Sequence, residues 1–143
     1  MNISTIIRGK YITALSGLKY DNTLIPVFDE VVNPSATIPV INGAECYIIL
    51  QGQQERDAGI QNFCTYRIEA DITVKIVTKF GTVGGKKLSE DIAALVDDRI
   101  RSGRDTNKIN VQQVDVIERS TVETSKEHLA FQKILMYTNT INI

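Results

Sequence analysis

From Tyr66 to Phe80, apolar and polar residues alternate for longer than anywhere else in the chain. Tyr66, Ile68, Ala70, Ile72, Val74, Ile76 and Phe80 share one parity, broken only by Thr78. Arg67, Glu69, Asp71, Thr73, Lys75 and Lys79 take the other. Successive side chains of a strand point to opposite sides of a sheet, so this pattern predicts a β-strand with one buried and one wet face. A helix would scatter the same residues around its circumference. The run is far longer than the about 5 to 6 residues of an ordinary strand. It therefore predicts a strand that spans a whole sheet and projects past it, an arrangement suited to contacts with other chains.

Before this strand, Asn2 or Ser4 is placed to cap a first helix, whose Ile3, Ile7, Ala14, Leu15 and Leu18 recur on one face. Gly17 and the turn-prone Tyr20-Asp21-Asn22 mark its end. Gly9 weakens that helix by about 1 kcal/mol relative to alanine, so packing on the sheet must hold it. Leu24 to Val32 reads as a first strand with Pro26 near its start, and Asn33-Pro34-Ser35-Ala36 with Pro39 forms a bent linker. Ala44 to Gln51 reads as a second strand, its continuous run Tyr47-Ile48-Ile49-Leu50 expected where both faces are covered. The polar, glycine-punctuated stretch from Gln51 to Gly59 reads as a long hairpin arm. It is either a solvated loop or an arm that docks on a neighbouring subunit.

After Phe80 the sequence Gly81-Thr82-Val83-Gly84-Gly85-Lys86-Lys87 turns into a second helix reaching about Ser102. Leu88, Ile92, Leu95, Val96 and Arg99 or Ile100 line one face of it, and Gly103 is the expected stop. Arg104 to Asn110 reads as a connector to a strand from Val111 to about Glu123. The apolar parity of that strand shifts between Val116 and Ile117, which suggests a bulge. Thr124 to Glu127 is a turn, and Leu129 to Ile143 a last strand with Lys133 and Asn139 as exceptions on its apolar parity. The order α-β-β-β-α-β-β predicts an α+β fold, a largely antiparallel β-sheet with both helices packed on one face.

Length changes little: 143 residues make one domain, 1–143, with a core that needs no disulfide or metal. A hydrophobic share of 43% against 23% charged residues argues against global disorder. The 16 basic and 17 acidic residues give a net charge of −1 and no reason to expect a dominant polyanionic partner. Arg8 and Lys10 interrupt the apolar N-terminal pattern, which reads as neither signal peptide nor membrane span, so assembly in the cytoplasm is expected. Cys46 and Cys64 fall on segments read as neighbouring strands, and in a reducing compartment two thiols are expected rather than a disulfide.

Candidate chemistry is sparse. His128, beside a predicted turn, is the single histidine and reads as a surface residue; no Cys-x-x-Cys or His-Glu-x-x-His spacing offers a metal site. The glycine-rich turn fails as a phosphate-binding loop: its required first glycine falls on Phe80, and Lys87 stands where a hydroxyl is needed. Lys86 and Lys87 either pair with Glu90 and Asp91 or meet an anion. The basic residues Lys79, Lys86, Lys87, Arg99, Arg101, Arg104 and Lys108 are interleaved with Glu90, Asp91, Asp97, Asp98 and Asp105. That pattern favours a solvated helix face over a nucleic-acid surface. Adjacent Asp97 and Asp98 point apart on a helix and make no catalytic pair. The residues predict no enzyme and no cofactor.

The whole arrangement resembles a family. It comprises an N-terminal helix, the strand Ile25-Pro26-Val27-Phe28-Asp29, a proline linker and the strand Tyr47-Ile48-Ile49-Leu50 ending in Gln51-Gly52-Gln53. The long alternating strand, the glycine-rich turn into one amphipathic helix and two closing strands complete it. It is similar to the tail-terminator or tail-completion proteins of tailed bacteriophages, within the wider set of head-to-tail joining, or neck, proteins. Where that family commonly carries a Pro-Tyr pair before the second strand, Cys46-Tyr47 stands here. The resemblance implies a structural virion protein made in the host cytoplasm, six or twelve copies forming a ring between portal or connector and tail-tube proteins. DNA would pass through its channel without specific binding, and no membrane is involved. On that reading the arm residues Gln53, Gln54, Glu55, Arg56 and Asp57, with Arg104 and Lys108, contact subunits or partners, and Lys86 and Lys87 face the DNA channel. Two alternatives stay open: a small cytoplasmic ligand-binding domain or enzyme, and a weak nonspecific nucleic-acid-binding module.

Overall fold

The long alternating strand lies in the middle of the sheet. The computed structural model describes residues 3–30, 37–41, 44–62, 65–80, 86–106, 111–123 and 128–142. In chain order these form α1 (Ile3–Leu15), β1 (Lys19–Tyr20), β2 (Thr23–Leu24), β3 (Val27–Asp29), β4 (Val40–Ile41) and β5 (Ala44–Asn62). They continue with β6 (Thr65–Phe80), α2 (Lys86–Thr106), β7 (Val111–Glu123) and β8 (His128–Asn142). The main sheet runs β3-β5-β6-β8-β7, with β4 also paired to β5. Every pairing in it is antiparallel except β3 with β5. The fold is α+β, with a mostly antiparallel sheet.

Both described helices pack on one face: α1 contacts β5 and β6, and α2 contacts β6 and β8. That face takes the even-numbered side of β6, so Ala70, Ile72, Val74 and Ile76 are fully buried. Cys46, Ile48 and Leu50 of β5 and Leu135 and Tyr137 of β8 join them. Helix α1 adds Ile7, Tyr11, Ala14 and Leu15, and α2 adds Leu88, Ile92, Ala93, Val96 and Ile100. Each such large aliphatic side chain contributes about 1.5–3 kcal/mol by leaving water.

Two of the polar residues that break the alternation, Thr78 and Asn139, are buried and bonded. Thr78 donates to the Phe131 carbonyl at 3.4 Å. Asn139, 1% exposed, accepts from the Tyr11 hydroxyl at 2.8 Å and donates to the Ala70 carbonyl at 3.3 Å. The Tyr11 and Tyr137 rings lie tilted, 5.6 Å between centroids, and the Tyr137 hydroxyl donates to Asp97 at 3.0 Å. This network ties α1, α2, β6 and β8 together, and its members are satisfied as burial demands.

The helices are also pinned at their ends. Gly17 at φ 75° terminates α1 in the left-handed region that glycine adopts without a Cβ penalty. The Arg99 guanidinium of α2 donates to the carbonyls of Ala14 and Ser16 at 3.3 and 3.1 Å, groups that the end of α1 leaves without helical partners. Arg8 joins α1 to the β3 edge through Asp29, Glu30 and the Leu50 carbonyl.

Several expectations need correction. Leu24 to Val32 is not one strand. Asp21 and Asn22 both take positive φ, at 48° and 62°, the geometry of a tight hairpin turn, so β1 and β2 pair with each other. The short β3 follows and ends at Glu30, whose φ is 67°. The turn-prone residues thus make a hairpin, and Gly17 alone ends the helix. Helix α2 runs through Gly103 to Thr106, where Arg101 and Arg104 near its C-terminus suit the helix dipole. The run Tyr47 to Leu50 alternates: Ile48 and Leu50 sit under the helices while Ile49 is half-buried on the other side. The irregularity in β7 falls between Val111 and Gln113, and pairing with β8 is regular through Val116 and Ile117. Cys64, the linker residues 33–36 and the turn 124–127 lie outside the described residues.

Candidate functional site

Among the residues whose side chains are described, the large apolar ones left exposed are Ile6, Ile12, Leu24, Val40, Val116 and Ile117. They fall into two groups, Val116 and Ile117 on the β7 edge of the main sheet and the others on α1, β2 and β4. Val40 belongs to β4, and Ile6 and Ile12 to α1, which lies toward the β3 side. Ile12 and Leu24 line a groove of about 210 Å³ there with Leu15, Pro26 and Val27. At the other edge, Val116 and Ile117 are neighbours on β7, 54% and 38% exposed on opposite faces, flanked by exposed Asp115 and Glu118. β7 is the last strand of the sheet and is 13 residues long. A strand in that position presents a row of backbone N–H and C=O groups that no other described strand pairs.

The other edge also carries backbone that no other described strand pairs. β3 meets β5 only at Ile48–Leu50, and β4 meets it only at Ala44–Glu45. Beyond Gln51, β5 pairs among the described strands with β6 alone, as far as Asn62↔Thr65. The arm expected from the sequence is therefore a strand, not a loop. Register shifts at Gln51/Gln53, Asp57/Gly59 and Ile60/Asn62 give it extra twist. Gln53, Gln54, Glu55, Arg56 and Asp57 lie opposite Ile72, Asp71, Ala70, Glu69 and Ile68 along it.

The other site residues expected from the sequence lie apart. Lys86 opens α2 and Lys87 is exposed beside it. They follow the Phe80 end of β6, whereas the arm pairs with its Thr65 end. Arg104 lies in the last turn of α2, and Lys108 is outside the described residues. The structure does not bring these residues into one site.

A groove of about 380 Å³ separates α2 from β7, with Ala93, Val116 and Leu135 as its apolar lining. Two ion pairs hold its charged lining, Lys133 with Glu118 at 3.1 Å and Arg101 with Asp97 at 2.8 Å, and Glu90 also lines it. Burial above all, then the Asp97 charge, pushes the Tyr137 phenol upward. Burial likewise pushes the Cys46 thiol up to about 12, which leaves it without nucleophilic thiolate. Among the described residues no group of three His, Cys, Asp or Glu side chains is placed to hold a metal ion, and no helix is long and apolar enough to cross a membrane.

The face opposite the helices carries Tyr47, Ile49, Val77, Ile134 and Met136, with Thr73, Lys75 and Lys79 in the same rows. The Phe28 and Tyr47 rings meet edge to face with centroids 6.0 Å apart, and the Lys79 ammonium lies over the Tyr47 ring, 6.0 Å from its centroid. Among the described residues no helix covers this face. Sequence reasoning missed the two exposed edges and the Tyr11–Asn139 network. Alternation reveals which face of a strand is buried but carries no signal for which strand ends a sheet. No protein-family model matches this chain, and no curated protein matches it.

Proposed function

We propose that this chain is the subunit of a homo-oligomeric ring, and that the ring belongs to the head-to-tail junction or tail of a tailed bacteriophage. One observation carries the ring: the main sheet ends in two unlike edges, β7 with exposed Val116 and Ile117 and, at the other side, the β5 arm with β4 and its exposed Val40, and neither β7 nor the arm is paired there to another described strand. Two unlike surfaces that complement each other make a head-to-tail contact, which closes into a ring when the rotation per copy closes. The virion setting rests on the resemblance in element order and strand sequence, as do a portal or tail-tube neighbour and DNA in the channel. Near-balanced charge suits a channel through which DNA slides without tight binding, because nonspecific DNA affinity comes from phosphate neutralisation.

Negative-stain electron microscopy across a concentration series, paired with light-scattering mass, tests this. Closed rings with a central channel are the expected result. A chain that stays monomeric at the highest concentration refutes it. The groove between α2 and β7 favours a second reading, a small-ligand domain, which a specific thermal shift in a metabolite screen would support.

A further inference from the structure

We infer that two copies of this chain pair through α1, antiparallel about a two-fold axis that crosses the helices at Gly9. The contact does not rest on the ring reading, because a two-fold contact closes after two copies.

Gly9 stands at the midpoint of the 13-residue α1, on its exposed side. Glycine in a helix interior is destabilising relative to alanine. Nothing in its own chain requires it here: its φ is not in the left-handed region, and a Cβ added to it would meet no described atom within 4 Å. A bare stretch of backbone on an exposed helix face lets a second backbone approach closely.

The residues around Gly9 are matched about it. Thr5 and Ile6 stand four and three positions before it, Ile12 and Thr13 three and four after, and all four are exposed. Helical spacing puts them on the same side as Gly9. Reversing a second α1 about Gly9 therefore lays Ile6 on Ile12, Thr5 on Thr13 and Gly9 on Gly9. Moving the axis toward either end shortens the overlap and leaves Ile6 or Ile12 facing a residue outside the stripe. Antiparallel helices also set opposite dipole ends together.

Charge favours a second copy as the occupant. The stripe carries none, so a charged partner surface would have to lose its hydration against uncharged groups. Another α1 brings an equal, uncharged face. Arg8 and Lys10 lie about 100° around the helix to either side, and Arg8 is turned to Asp29 and Glu30 of its own chain. Two helix faces of this length bury well under the about 1,600 Å² of a standard interface, so the pairing is weak and concentration-dependent.

The test uses the full chain with Cys64→Ser, Cys46 being buried. G9C is mildly oxidised beside I6C, I12C and an exposed control, D98C, and each is run on a non-reducing gel. G9C should form a disulfide-linked dimer severalfold faster than the other three, and I6C mixed with I12C should link faster than either alone. Independently, Gly9→Gln blocks the close approach without touching the packing of its own chain. Its dimer dissociation constant by sedimentation equilibrium should rise about tenfold or more. The melting temperature of the dilute chain should rise instead, because a good helix former replaces glycine. A G9C that links no faster than D98C overturns the inference, as does an I6C or I12C that outpaces it, which would show a different surface or register on the stripe. So do a wild type that does not pair, association unchanged by Gly9→Gln, and a lowered melting temperature in that variant, which would give Gly9 a role inside the fold. Rings that persist in Gly9→Gln while the pairing is lost support the inference and leave the ring reading standing.

Discussion

Removing the Tyr11 hydroxyl tests whether the buried network is an energetic unit. In Tyr11→Phe the ring keeps its place against Tyr137, but the Asn139 side-chain oxygen loses its donor in a site 1% exposed. A buried polar atom left unpaired costs about 1–3 kcal/mol. Asn139→Leu is harsher, because it deprives both the Tyr11 hydroxyl and the Ala70 carbonyl, for about 2–4 kcal/mol on the same scale. The double variant removes hydroxyl and acceptor together, so its cost should fall short of the sum by about 1 kcal/mol or more, the range of coupling seen between contacting residues. Urea denaturation at one fixed protein concentration measures all four corners of the cycle, and holding the concentration constant keeps assembly from shifting apparent stability. In thermal melts each kcal/mol should move the midpoint by about 3–4 °C for a chain of this size. Losses that add within about 0.3 kcal/mol would show that the hydrogen bond between α1 and β8 contributes nothing of its own.

Alkaline pH should destabilise the fold. Tyr11 and Tyr137 are pushed above the ordinary 10.0, burial being the first cause for each. Above pH 10 the unfolded chain therefore releases protons that the folded chain keeps, and stability that is full below that pH falls by about 1.4 kcal/mol per unit for each tyrosine. Urea midpoints from pH 8 to 11 should be level at first and then drop, with a shallower slope in Tyr11→Phe; a level profile throughout refutes it. Arg99→Leu keeps the packing of the stem but frees the Ala14 and Ser16 carbonyls, and should cost about 1–2 kcal/mol, hydrogen bonds to charged groups being worth roughly that much. Helix-specific loss by circular dichroism in the first turns to melt would locate the effect at the end of α1.

The elements legible in the sequence were those whose burial is one-sided. Ile72, Val74 and Ile76 alternate with wet residues, and Leu88, Ile92 and Val96 repeat at helical spacing, so β6 and α2 declared themselves. Where local backbone chemistry decides, the pattern misled. Asp21 and Asn22 accept positive φ and build a hairpin inside what reads as a helix end. Glu30 does the same at the end of β3, cutting short an apolar run that alternation alone would extend. Val116 and Ile117 looked like a bulge because apolar residues on both parities usually mean a slipped register; here the strand is regular and simply has an open edge. Asn139 looked like a defect in β8, since its partner Tyr11 is distant in sequence and contact between them exists only after α1 docks. The arm was read from its polarity, yet polarity could not distinguish a loop from a strand whose outer side is unpaired.

The number of long strands per copy also sets a size. If β5, β6, β8 and β7 join copy to copy, six copies make a wall of 24 strands. At about 4.8 Å per strand the wall is about 37 Å across when the strands stand upright, and about 48 Å across when they tilt by about 40°. Side chains on the inner face narrow the opening by about 10 Å, and twelve copies would double the wall diameter. The width of the hole in a single averaged image would thus separate six copies from twelve without any mass measurement.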